Sequence, residues 1–183
     1  VKPIFRFQEF ITGGSGDTVT SLATSALLVI LAALAPVSEV RGAIPLAYVI
    51  AQDGNTKWLL VTLATVFNSL IPFIALKALQ VFEDMLLRSN SGVLGSVKQL
   101  YSRLVSRARR EGGKYLRRWG YLGLAVFVAI PLPATGAWTA SLIAHVFGLS
   151  KLRASLAIVI GVVIASLIVV LAMEGVLTII SLL

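Results

Sequence analysis

The sequence predicts an all-α integral membrane protein built as an inverted repeat, each half a re-entrant helical hairpin plus a transmembrane helix, the halves joined by a basic amphipathic helix. Three observations predict it. The 183-residue chain is 57% hydrophobic with a mean hydropathy of +0.92, whereas soluble domains run at about 45–50% apolar. Its apolar residues are gathered into long runs rather than spread at the spacing of a soluble core. An order of short apolar arm, proline-containing break, short arm, turn and long apolar run occurs twice.

Residues 1–20 read as an amphipathic lead, Ile4 to Ile11, followed by a Gly/Ser hinge, without the uninterrupted apolar core of a signal peptide. Residues 21–80 form the first repeat. Leu22 to Ala35 is a run of 14 residues, apolar but for Thr24 and Ser25, about 21 Å as helix, too short for a hydrocarbon core of about 30 Å. The run breaks at Pro36, resumes after Gly42 and stops at Gln52 to Asn55. Irregular backbone is tolerated at membrane depth only where protein or water satisfies it, so a re-entrant hairpin or a broken helix is expected. Trp58 to Leu79 is long enough to cross, with Thr56 as expected N-cap, Lys57 and Trp58 as interface anchors and Lys77 reaching out at the far end.

Residues 81–119 form a basic linker. Between positions 83 and 119 lie nine Lys or Arg and three Asp or Glu, a net of +6. Val97, Leu100, Tyr101, Leu104, Val105 and Ala108 recur at three- and four-residue spacing, which predicts an interfacial helix on the cytoplasmic leaflet, with a solvated helical linker as the alternative. Residues 120–183 form the second repeat: YLGLAVFVAI as first arm, PLPATGAWT as break, ASLIAHVF as second arm, and Leu156 to Met173 as a span, followed by VLTIISLL as a cap or partial tail.

An offset of 94 sets Gly42 on Gly136, Gly54 on Gly148, Thr56 on Ser150 and Lys57 on Lys151. If each hairpin is re-entrant, each unit crosses once and the second enters from the face opposite the first. Inverted repeats with broken helices meeting near the midplane are the recurring architecture of secondary transporters. If each unit crosses twice instead, the repeats are parallel.

The candidate site residues cluster at the breaks. A charge at membrane centre costs about 2.5–3.5 kcal/mol on insertion scales, so Glu39 and Arg41 need a reason. One reason is function: Arg41 takes an anionic head group, and Glu39 takes a proton or cation. The other is a structural ion pair at the hairpin tip, which would require non-helical backbone, because residues two apart do not share a helix face. Gly42 and Gly136 permit close approach or positive φ and could present backbone N–H groups to an anion. Pro45, Pro131 and Pro133 interrupt helix. Asn68 is expected to satisfy hairpin carbonyls or to touch substrate. Thr135, Trp138 and Thr139 are expected to line a cavity opposite Arg41, the indole packing an apolar tail. His145 reads as an interface residue or a proton relay, and Glu174 as an interface residue.

Enzyme signatures are missing, with no Cys, one His, and no Walker, dinucleotide or HExxH motif, so neither catalysis nor a cofactor or metal is expected. The +8 net charge reads as cytoplasmic loop charge on anionic lipid rather than as a nucleic-acid surface.

The stretches E-x-R-G-A-I-P-x-A, Glu39 to Ala47, and P-L-P-x-T-G-A-W-T, Pro131 to Thr139, resemble the small multidrug export protein family, a relative of the DedA (VTT-domain) membrane proteins. The resemblance covers roughly residues 22–175. It implies two re-entrant hairpins meeting inside a prokaryotic inner membrane, and a role like those of DedA relatives in polyprenyl-phosphate recycling, lipid scrambling and proton-dependent drug tolerance. Phe127 to Thr139 lacks the arginines of the second DedA hairpin. The expected function is a multi-pass transporter or flippase for an amphiphile with an anionic head, a lipid-linked phosphate being the model. Proton-coupled export of cationic drugs is the alternative, and a non-transporting membrane scaffold the next. Expected partners are membrane lipids, polyprenyl phosphate among them, a coupling proton or sodium ion, and a further copy of the chain.

Overall fold

The computed structural model describes residues 18–88, 103, 105, 106, 120–132 and 135–182, and every regular element among them is an α-helix. In chain order these are α1 Thr18–Leu34, α2 Glu39–Ile50 and α3 Gly54–Arg88, then α4 Gly120–Ala129, α5 Ala137–Val146 and α6 Lys151–Leu182. Short, short, long thus occurs twice. The apolar stretches Gly54–Met85 and Lys151–Ile180 are 32 and 30 residues long, which at 1.5 Å per residue exceeds a hydrocarbon core of about 30 Å. On α6, Leu152, Leu156, Ile160, Val163, Leu167 and Leu171 are each half or more exposed. A continuous apolar stripe of that kind suits lipid, not water. The amphipathic lead, Ile4 to Ile11, lies outside the described residues; of the basic linker, residues 81–88 continue α3, and beyond them only Arg103, Val105 and Ser106 are described, all helical, with Val105 buried.

Helix α1 stops where proline chemistry stops it. Pro36 offers no N–H and pushes Ala35 out of the helical region. The chain turns through residues 35–38, closed by Ser38 and Glu39 N–H groups that both donate to the Ala35 carbonyl at 3.2 and 3.1 Å. Helix then resumes at Glu39 rather than after Gly42. Glu39, Arg41, Gly42 and Pro45, expected in irregular backbone, therefore occupy the first two turns of α2. The physical reason is burial: Val40, Ala43, Ile44, Ala47 and Ile50 form a buried stripe at helical spacing, and α2 packs on α1. That packing outweighs the roughly 3 kcal/mol that a proline costs inside a helix.

Helix α3 is capped three residues before the expected Thr56 and begins at Gly54. Asp53 is the N-cap: its Oδ1 accepts the Thr56 N–H at 2.9 Å, and its Oδ2 accepts the Thr56 hydroxyl at 2.9 Å, which satisfies a backbone donor that no carbonyl can reach. The Thr56 N–H first, and then its hydroxyl, hold the Asp53 carboxyl below its ordinary pKa. Helix α6 likewise exceeds the expected Leu156 to Met173, starting at Lys151 and absorbing the closing apolar segment as far as Leu182.

The fold divides into two compact units. One comprises the described residues up to 68 and from 166 onward, hence α1, α2, the first part of α3 and the last part of α6. The other comprises the described residues between 69 and 165, hence the rest of α3, α4, α5 and the first part of α6. Each has two short helices and a piece of both long ones.

Candidate functional site

In the first unit the sequence-predicted residues gather at the α1–α2 break. Glu39 is 3% exposed and has a φ of 48°, a left-handed conformation rare for a residue with a side chain. Its Oε2 lies 3.7 Å from Nη1 of Arg41. Two residues apart on a regular helix, these side chains would diverge, and the positive φ at the first residue of α2 is the non-helical backbone such a pair requires. At 3.7 Å the contact is longer than the 2.7–2.9 Å typical of charge-assisted hydrogen bonds.

Gly42 has no positive φ; that conformation belongs to Glu39 and Gly148 among the described residues. Its role is close approach, since a Cβ there would collide with the Ser38 side chain while its own N–H donates to the Ser38 carbonyl at 3.0 Å. Pro45 sits mid-helix in α2 and deprives the Arg41 carbonyl of its intrahelical donor. Asn68 on α3 is fully buried. Its Nδ2 donates to the Ala33 carbonyl at 2.7 Å, one of the last-turn acceptors that the end of α1 leaves without a helical partner. The Asn68 Oδ1 is buried with no hydrogen-bond partner among the described residues. Pro72, one turn on, also removes the N–H that would meet the Asn68 backbone carbonyl.

The second unit holds the other group. Pro131 follows the end of α4 and is exposed; Pro133 lies outside the described residues. Thr135 stitches the break, its hydroxyl 2.8 Å from the Ile130 carbonyl and 2.9 Å from that of Leu132. Gly136 is the buried N-cap of α5. Trp138 and Thr139 line a cavity of about 430 Å³ together with Ala75, Ala78, Leu79, Phe82 and Leu142. That volume lies within the 300–1,000 Å³ typical of small-molecule pockets. Its wall is apolar apart from the Thr139 hydroxyl and the Trp138 indole N–H.

Two polar clusters escape sequence reasoning. Tyr48 Oη and Lys57 Nζ both donate to Glu174 Oε1, each at 2.8 Å, and the ammonium sits 4.9 Å from the ring centroids of both Tyr48 and Trp58. This ties α2, the start of α3 and the last turns of α6 together through one charge. In the second unit, His145 Nε2 lies 3.1 Å from Glu83 Oε2. The partners are 126, 117 and 62 positions apart in the chain, so no local spacing signals them; the only cue is that charged groups inside apolar runs need partners.

A family model described as "Putative small multi-drug export protein" matches residues 39–168, more than two thirds of the chain, and begins at the buried glutamate. No curated protein and no solved structure matches the chain.

Proposed function

The chain belongs to the small multi-drug export protein family, and on that premise we propose that this membrane protein moves amphiphiles with an anionic head, lipid-linked phosphates being the class that fits, using Arg41 as the head-group ligand and Glu39 as the coupling group. The observation that carries the reading is the buried Glu39 with its φ of 48°. A left-handed non-glycine residue and a buried carboxylate each cost free energy, and such costs concentrate at binding and switch sites. A guanidinium has five N–H donors, more than one carboxylate can use. Protonating Glu39 weakens its hold on Arg41 and turns the guanidinium toward an incoming phosphate.

The same reading takes the two short-short-long series as inverted, re-entrant repeats of the DedA kind in a prokaryotic inner membrane, with the basic linker on the cytoplasmic face. The matched lists of parts in the two units support it. So does the meeting of Lys57, near the start of α3, with Glu174, near the end of α6, as expected of long helices running in opposite directions. No Walker motif occurs, so transport is driven by an ion gradient or runs downhill.

A second reading is export of organic cations with Glu39, the more deeply buried of the two charges at 4% exposure against 17% for Arg41, as their ligand. Reconstituted vesicles separate the two. Movement of fluorescent phosphatidylglycerol should fall at least tenfold in Arg41→Ala, and its pH dependence should vanish in Glu39→Gln. Ethidium efflux lost in Glu39→Gln but intact in Arg41→Ala selects the cation reading. Unchanged transport in both variants refutes both.

A further inference from the structure

His145 is the chain's only histidine and is 9% exposed at the penultimate position of α5, with Nε2 3.1 Å from Oε2 of Glu83 on α3. We infer that this pair is a proton-binding site. In the deprotonated state the Nε2–H of neutral imidazole donates to the Glu83 carboxylate, and the pair carries one negative charge. A proton arriving at the second ring nitrogen gives imidazolium beside carboxylate, with no net charge. No other bond is made or broken.

Local structure favours a cation at this position. Helix α5 ends in a Schellman motif: the Gly148 N–H donates to the His145 carbonyl at 3.0 Å and the Leu149 N–H to the Ala144 carbonyl at 2.9 Å, with Gly148 at φ 66°. His145 thus lies in the last turn, where the helix dipole stabilises positive charge. The remaining described titratable groups of this unit are Lys77, Asp84 and Arg88 on α3, Arg103 of the linker, Tyr121 on α4, and Lys151 and Arg153 on α6. All are exposed except Tyr121, which hydrogen-bonds Ser150 at 3.0 Å. Glu83 is the carboxylate that meets the imidazole.

The location gives the proton a use. Phe82 and Leu142 line the apolar cavity; Glu83 is the next residue on α3, and His145 comes one turn after Leu142 on α5. The same two helices that wall the cavity carry the pair, though neither residue lines it, so gain or loss of its charge acts on the helices that frame an apolar pocket. Its role in coupled export rests on the function proposed above, whereas proton binding itself does not.

A lone histidine makes the test direct. The full chain, purified by a histidine-free tag into lipid nanodiscs with isotope-labelled histidine, should give a single imidazole signal that titrates. Its midpoint should move down by about one unit or more in Glu83→Gln, where one pKa unit is a tenfold change in proton affinity. In Asp84→Asn it should stay within a few tenths. Glu83→Asp, which keeps the charge but withdraws it, should fall between wild type and Glu83→Gln, and it tests the pair if Glu83→Gln does not fold. Equal midpoints in wild type and the Glu83 variants, or an equal shift in Asp84→Asn, overturn the assignment. No transport is measured, so this result and those for Glu39 and Arg41 can fail separately.

Discussion

Two glycines of one helix should respond to the same substitution with opposite sign. A Cβ on Gly161 of α6 would lie 2.6 Å from the Ala125 carbonyl oxygen and 2.7 Å from Val128 Cβ on α4, against 3.4 Å for ordinary contact. The shortfall of about 0.8 Å must be met by moving helix backbone, because an Ala125 carbonyl inside α4 cannot swing away as a side-chain tip can. Overpacking of this kind costs about 1–3 kcal/mol, and alanine's better helix propensity returns up to about 1 kcal/mol. Gly161→Ala should therefore destabilise by about 1–2 kcal/mol, a 5–30-fold drop in the folded-to-unfolded ratio. Gly175 lies on the same helix with nothing within 4 Å of its virtual Cβ, so Gly175→Ala should stabilise by about 0.5–1 kcal/mol. Equilibrium unfolding in mixed micelles, with both variants beside wild type, reads the difference. If Gly161→Ala proves as stable as Gly175→Ala, the close crossing of α4 and α6 is wrong.

Asn68→Ala removes the donor to Ala33 O and leaves a buried carbonyl unsatisfied, which should cost about 1–3 kcal/mol, nearer the low end inside a bilayer; unfolding in the same micelles measures it, and Asn68→Leu, which restores volume but not the donor, should recover only part. Asp53→Ala should speed amide exchange at residues 54–57, the first turn of α3. Because the folded Asp53 pKa is depressed, its capping contribution is complete above the ordinary aspartate value and is lost as pH falls through the folded one, so wild type should acquire the exchange pattern of Asp53→Ala in acid and not in base. Glu174→Gln should speed exchange in the last turns of α6 and loosen Lys57, measured as faster amine labelling, and Tyr48→Phe should do so less, since it removes only one of the two donors to Glu174.

Patterns that repeat along the chain are legible in the sequence; pairings between distant segments are not. Pro36 announces the end of α1, and the apolar run from Trp58 announces α3. The stripe of Val40, Ala43, Ile44, Ala47 and Ile50 is equally readable as one helical face, yet Pro45 and the charges at 39 and 41 weigh toward a longer break. Proline is a local penalty and packing a collective gain, and only the second depends on what lies opposite. Thr56 stands nearest the apolar run and so draws the N-cap assignment away from Asp53, although the side chain that accepts belongs three residues before the N–H that donates. Glu174 reads as an interface residue, and His145 as an interface residue or a proton relay with no partner named, because their partners arrive from elsewhere in the chain. The positive φ of Glu39 has no signal at all, since left-handed backbone is normally announced by glycine or asparagine.

The division into units bears on how the molecule is made. The stretch 69–165 is continuous, so its contacts can form as soon as the ribosome has released it. The other unit is a patchwork: residues up to Asn68 must wait, with Lys57 and Tyr48 lacking their carboxylate, until the stretch from Ser166 through Glu174 has been synthesised. Helices made before residue 69 should therefore settle only after the stretch that follows residue 165 has been made, and a chain stalled before Glu174 would hold one completed unit and one that quality control could recognise as unfinished.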